Sequence, residues 1–399
     1  AKTMHTLKYM LEKGCVINGH TAGASDKKLN AYIASGILSC HEPIDFAQVI
    51  ERLRLGMSIM MREGSIRRDL DKMIPDILEH KPYLDRLMFC SDGVNPKDLI
   101  ELGHIDHCVR KSVSLGLDKL DAITMATKNC FDYYNMLNDY GGIAPGKIAD
   151  ILVFDDLDKL KPVKIFVGGK LVVSHGTIIT KPKEPRIPSW ITKTVKIKRK
   201  FQENDFVVKS TATSVQALVI KLHTEIITQK DQLELKVKDG NVVASADKDV
   251  WKVAAIDRIH GTNKHVVGFL QNFGADIGAF GSTSTFHEND MVIIGSSEND
   301  MAFVVNKLVE MRGGIVAVKD GKVLAAFALP YAGLISTLPF EKALVEYSKL
   351  NSTIVEAGCK FKNPYLIPLF LPFLALPDIR IIHTGIIDVK KRTYLDILN

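Results

Sequence analysis

The chain has 399 residues with 46% apolar side chains, enough for two or three domains with real cores. Charged residues at 25% and aromatics at 7% are ordinary for a globular protein, and a net charge of +6 is too small over this length to argue for nucleic acid. Tyr365 to Pro377 is the most apolar run, but it is too short to cross a bilayer and carries three prolines, so no membrane role is expected.

Residues 1–14 have a polar–apolar helix pattern (Leu7, Met10, Leu11) stopped at Gly14, without a signal-peptide pattern. An apolar run then leads from Cys15 to Gly19 and into His20. A helical segment follows, with Ser25 as N-cap, Leu29, Tyr32 and Ile33 on one face, and Gly36 as stop. Ile37 to Cys40 leads into His41. Next come a helix from Phe46 to Leu55 ended by Gly56, the run Met57 to Met61, and a helical segment from Arg67 to Glu79. Arg86 to Ser91 leads into Asp92, and helical segments cover Ile105–Leu115 and Leu120–Asn135. Buried-looking strands alternating with helices argue for parallel βα units.

The pattern changes at Gly141–Asp150, where a Pro145-Gly146 turn precedes the strand Ile151–Phe154. Gly168-Gly169 marks a hairpin between Lys164–Val167 and Leu171–Val173. Residues 181–189 are a Pro-rich linker, and Lys193–Lys200, with Val195 and Ile197 alternating, reads as a solvated basic edge strand rather than a phosphate strip. Beyond residue 201, β runs (Ala217–Leu222, Leu233–Val237) and helix patterns (Met301–Met311, Phe340–Lys349) predict a mixed α/β domain. The six cysteines are scattered, with no C-x-x-C or paired framework, which predicts a reducing, cytoplasmic setting.

His20, His41 and Asp92 each close an apolar run. In a βα barrel the carboxyl ends of all strands open on one face, so the three would converge. Imidazole and carboxylate suit a hydrolytic divalent metal, and a carboxylate can also carry protons. A strand-end histidine is more often structural, and spacing alone leaves the two readings open.

Longer stretches carry a family resemblance. Asn18–Gly23, Leu29–Ile37, Ser39–Glu42, Leu53–Met57, Met61–Ser65, Phe89–Asp92 and Gly103–Asp106 resemble adenine deaminases of the amidohydrolase superfamily. Arg258–Thr262 and Gly333–Ser336 resemble the domain those enzymes carry beyond the barrel. The resemblance implies an α/β fold: the carboxyl-terminal half of a TIM-like (β/α)8 amidohydrolase barrel with strands resembling the fifth to eighth (1–138), β-sandwich strands (139–184), a linker and basic strand (185–200), and a mixed α/β carboxyl-terminal domain (201–399). It implies hydrolysis of adenine to hypoxanthine and ammonia by a homo-oligomer with adenine as its partner. A divalent, binuclear metal site of manganese or iron, with zinc as a further option, goes with it. His20, His41 and Asp92 would be its ligands and Asp92 also the proton carrier. Glu42, a catalytic candidate beside Asp92, would on a strand point to the opposite side from His41 and either touch substrate or stabilise a loop. Arg62, Glu63 and Ser65 would be substrate contacts or a supporting ion pair.

Some features depart from the pattern. None of the twelve histidines makes the H-x-H of a first barrel strand, so the expectation is a chain beginning in mid-fold, without deaminase activity on its own. Phe286-His287-Glu288-Asn289-Asp290 stands where the family has His-Asp-x-His-Asn, and Gly93 where many members have a second Asp. His104 and His107 form an H-x-x-H expected to be a structural cap. The competing functions are another amidohydrolase acting on a cyclic amide or different nucleobase, and a non-catalytic scaffold.

Overall fold

Ser39–Cys40 (β1), Ser58–Arg62 (β2) and Leu87–Cys90 (β3) lie side by side as a parallel sheet in the order β1-β2-β3. Its residues are mostly buried, as strands covered on both faces must be. The computed structural model describes residues 2–183 and 185–398, and its contacts separate two units, Ala1–Glu184 and Pro185–Asn399. The boundary expected at residue 184 falls outside the described residues.

In the first unit, α1 (Lys2–Glu12), α2 (Asp26–Ala34), α3 (Phe46–Arg54), α4 (Leu70–His80), α5 (Pro96–Glu101), α6 (Ile105–Ser114), α7 (Lys119–Ala126) and α8 (Lys128–Tyr133) accompany the sheet. Asp45 starts α3 by accepting the Gln48 N–H at 2.9 Å, which satisfies one of the orphan donors of the first turn. Val49 and Met73 from these helices meet Ile59, Met61 and Phe89 of the sheet in one core, and fully burying each such side chain stabilises by about 1.5–3 kcal/mol. Ile151–Val153 (β4), Lys164–Val167 (β5), Lys170–Ser174 (β6) and Thr177–Ile178 (β7) form an antiparallel sheet in chain order, turning at Gly168-Gly169.

Two expectations fail here for physical reasons. The strand expected at Cys15–Gly19 is not formed: a strand needs a ladder partner, whereas the Ile17 carbonyl accepts from the Tyr133 hydroxyl at 3.4 Å and the His20 N–H donates to Tyr32 Oη at 2.9 Å. The single helix expected over Leu120–Asn135 is two helices broken at Thr127. Asn129 donates its amide to the carbonyls of Leu84 (2.7 Å) and Leu87 (2.9 Å), which holds α8 against the start of β3.

The second unit is built on a nine-stranded sheet of Ser214–Leu222 (β8), Thr228–Lys238 (β9), Asn241–Val242 (β10), Val250–Ile256 (β11), His265–Gln271 (β12), Ala279–Ser282 (β13), Met291–Gly295 (β14), Gly314–Lys319 (β15) and Lys322–Ala328 (β16). Its order is β10-β9-β8-β12-β11-β14-β13-β15-β16, and β8 and β12 are its parallel neighbours. Side chains alternate between two cores. Ala254, Ile256, Ile293 and Val316 face α9 (Glu298–Glu310), while Val253, Ala255, Ile294 and Ala317 face α10 (Phe340–Glu356). Leu366–Phe370 (α11) and a small sheet of Ile379–Ile382 (β17), Gly385–Asp388 (β18) and Thr393–Leu395 (β19) complete the unit. The basic edge strand expected at Lys193–Lys200 is absent. The Lys196 N–H donates to the Arg258 carbonyl at 2.7 Å and the Lys198 N–H to Asn263 Oδ1 at 3.0 Å, while Val195 and Ile197 pack on the α9-side core.

Candidate metal centre

β1 ends at Cys40 and the backbone bends at His41. In a continuing strand Glu42 would face away from His41. The bend instead brings Glu42 Oε1 to 3.2 Å from both His20 Nδ1 and His41 Nε2. The two imidazole nitrogens are 3.3 Å apart, and the three donor groups lie within 4.8 Å of one another. The turn after His20 is fixed from behind by buried Arg52, which donates to Thr21 Oγ1 (3.0 Å) and to the Thr21 and Ala24 carbonyls. Thr21 Oγ1 also meets Cys40 Sγ at 2.7 Å, joining this turn to β1. Two imidazoles and a carboxylate converging on one point are a suitable donor set for a divalent transition metal.

Burial pushes the Glu42 carboxyl upward, but its bond to His41 and the charges of Arg62, His20 and His41 outweigh that and hold it below the usual range. It is therefore anionic at neutral pH, as a ligand must be. Arg62, at the end of β2, donates from Nη1 to Glu42 Oε1 at 2.8 Å and also contacts Asp92 Oδ2. Its Nη2 donates to Glu42 Oε2 at 3.1 Å, and Arg67 Nη1 reaches the same oxygen at 3.3 Å.

Asp92, expected as the third ligand, is not one of the three converging donors, and it is joined to them through Arg62. It sits in left-handed backbone (φ 47°), half exposed. The end of β2 grips this turn: the Glu63 N–H donates to the Cys90 carbonyl and the Ser65 N–H to the Gly93 carbonyl, both at 2.9 Å. Gly64 lies between them, where a Cβ would come within 2.0 Å of the Ser91 carbonyl oxygen and 2.6 Å of that of Gly93. Only glycine permits that approach. Burial, helped by the Asp92 charge, pushes the Cys90 thiol up to about 12, so it is no nucleophile.

Glu63 and Ser65 are not brought to the cluster. Buried Glu63 accepts from Lys111 Nζ at 2.8 Å and lies 3.7 Å from His107 Nε2. Ser65 Oγ donates to Asp98 Oδ2 (2.7 Å) and accepts the Asn95 N–H (2.8 Å). His104 occupies the N-cap position of α6 without a side-chain cap bond, and its Nε2 meets Ser91 Oγ at 2.9 Å. The H-x-x-H pair therefore splits between two partners. Arg62, expected to contact substrate or to make a supporting ion pair, pairs with Glu42 and Asp92. Its available signal was an arginine closing the apolar run Met57–Met61, a charge that burial would oblige to find carboxylates.

Comparisons with known proteins agree with the motifs. A family model described as the amidohydrolase family matches residues 3–172, and one described as the adenine deaminase C-terminal domain matches residues 225–393. The chain is 52% identical over 385 residues to an adenine deaminase of Cenarchaeum symbiosum (strain A), covering 96% of this chain and 63% of that protein. It is 34% identical over 390 residues to an adenine deaminase of Clostridium botulinum (strain Langeland), covering 97% and 65%. The chain thus spans less than two thirds of these curated relatives. Among solved structures, a beta-aspartyl dipeptidase from Fervidobacterium islandicum AW-1 aligns with a TM-score of 0.35 at 19% identity, over 44% of this chain and 52% of that one.

Proposed function

The chain belongs to the adenine deaminase family, and on that premise we propose that it contributes the His20–His41–Glu42 centre to hydrolysis of adenine to hypoxanthine and ammonia. The observation that carries the proposal is the meeting of two imidazoles and an anionic carboxylate within 4.8 Å, on the family's motif residues. His20, His41 and Glu42 would hold a divalent cation, with Asp92 as a further ligand. Such a cation supplies Lewis-acid activation of water and charge stabilisation on the ring.

The chain's own residues do the rest. Asp92 moves the two protons of the attacking water in turn: the first passes to the purine nitrogen as the C–O bond forms, and the second, from the new hydroxyl, passes to the amine as the C–N bond breaks, so ammonia leaves neutral and the carboxylate is regenerated. Arg62 keeps Asp92 and Glu42 in register, and Gly64 lets the Asp92 turn lie close enough for that contact. The test is ammonia release from adenine by the protein carrying these residues, before and after chelation and on restoring manganese, iron or zinc. Activity indifferent to chelation, or none with any metal, contradicts the proposal.

A further inference from the structure

Three stretches singled out in the sequence, Arg258–Thr262, Phe286–Asp290 and Gly333–Ser336, meet in the second unit around one guanidinium. Arg258 is fully buried. Its Nη1 donates to the Ala332 carbonyl at 3.0 Å, but Nε and Nη2 have no hydrogen-bond partner among the described residues. The other fully buried arginines behave differently. Arg52 donates to Thr21, Ala24 and Gln48 from all three nitrogens, and Arg380 commits Nε to Leu376 and Nη2 to Ile226 and Pro377, with Nη1 alone unpartnered among the described residues. In both, the Nε–Nη2 edge is taken up within the protein, by the Thr21 hydroxyl and backbone carbonyls, whereas that of Arg258 is not.

The unpartnered nitrogens of Arg258 are adjacent and form one edge of the fork, the edge whose parallel N–H groups match two oxygens of a carboxylate or phosphate. The nearby carboxylate does not claim it. Asp290 accepts the His383 N–H at 2.7 Å on one oxygen and faces His383 Nδ1 at 2.8 Å with the other, so its charge reaches Arg258 only at a distance. Gly333 (φ 71°) lies flat on the guanidinium, where a Cβ would come within 2.8 Å of Nη1. The loop that follows Arg258 is folded around Asp257, which accepts the backbone N–H groups of Ile259, His260 and Thr262. The His260 ring, largely exposed, stands 6.3 Å from that of His383.

We propose that the Nε–Nη2 edge of Arg258 is a binding site for a small oxyanion, the carboxylate or phosphate group of a small molecule, seated between the Arg258–Thr262 loop and the Ala332–Gly333 turn. The guanidinium is closed to solvent, so entry of the ligand requires the turn to give up the Arg258–Ala332 hydrogen bond. Burial lowers Arg258 only to about 10, which leaves it charged at neutral pH.

The experiment is calorimetric titration of the full chain with inorganic phosphate and, separately, acetate, at constant ionic strength. Saturable one-to-one binding of at least one, with Kd below about 1 mM, is expected. Phosphate alone assigns a phosphoryl ligand, acetate alone a carboxylate. Arg258→Lys, which keeps the charge and loses the fork, should weaken binding tenfold or more. No binding of either probe at tens of millimolar overturns the proposal in favour of a water-satisfied arginine, and unchanged binding by Arg258→Lys reduces it to an adventitious ion. Should Arg258→Lys not fold, Asp290→Asn decides: with the facing negative charge removed, the probe must bind more tightly, and unchanged or weaker affinity overturns the site.

Discussion

Arg62 Nη1 lies 2.8 Å from Glu42 Oε1, the oxygen that is also 3.2 Å from both His20 Nδ1 and His41 Nε2. One buried cation therefore orients the carboxylate on which two imidazoles converge, and its second contact carries the same constraint to Asp92. Breaking a buried pair costs more than forming it gains, because the remaining charge is left unpaired.

Arg62→Met should accordingly destabilise the chain by about 3 kcal/mol. Urea unfolding midpoints at neutral pH measure it, at unchanged slope. A shift equivalent to less than about 0.5 kcal/mol, the level of an ordinary surface substitution, would show that Arg62 does not bind the site together.

Asp92→Asn keeps the side chain's size and a carbonyl oxygen but removes the proton acceptor. The rate constant for ammonia release should fall by roughly a hundred- to ten-thousandfold, as for general acid–base groups, with adenine binding retained. A loss confined to KM would mean that uniform binding had been removed instead. Near-normal turnover at full metal content would deprive Asp92 of its role.

How much of this was legible follows from which interactions are local. The helices around Leu29 and Val49 were readable because their spacing and glycine stops lie within a few residues, although Ser25 makes no side-chain cap bond, and β2 and β3 because buried parallel strands are continuous apolar runs. Cys15–Gly19 has the same apolar pattern, but a strand also needs a partner, and sequence does not show whether one is in reach. Glu42 was expected on the opposite side from His41 because period-two alternation assumes a strand that continues. β1 stops one residue too soon for that. The burial of Arg62 and Arg258 arises from contacts across thirty or more residues, where local pattern is silent.

Asp257 should make the second unit acid-sensitive. Burial raises its carboxyl, but the N–H groups of His260, Thr262 and Ile259 and the Thr262 hydroxyl outweigh that and hold it well below the usual range. With the folded value depressed, the unfolded chain binds the proton first. The contribution is thus complete above the ordinary carboxyl pKa of about 4 and lost as pH falls below it. Asp257→Asn should lower Tm clearly at pH 7 and progressively less as pH falls below about 4; a difference independent of pH contradicts the assignment.

The central claim is that His20 and His41 hold the metal on which deamination depends, and the most direct measurement is elemental analysis of the purified protein carrying these residues beside its His41→Ala variant. Each imidazole supplies a nitrogen that its neighbours cannot replace. The account predicts that bound manganese, iron or zinc falls at least tenfold in the variant, with ammonia release from adenine falling alongside it. Unchanged metal content in His41→Ala would contradict it and leave the two histidines as structural residues.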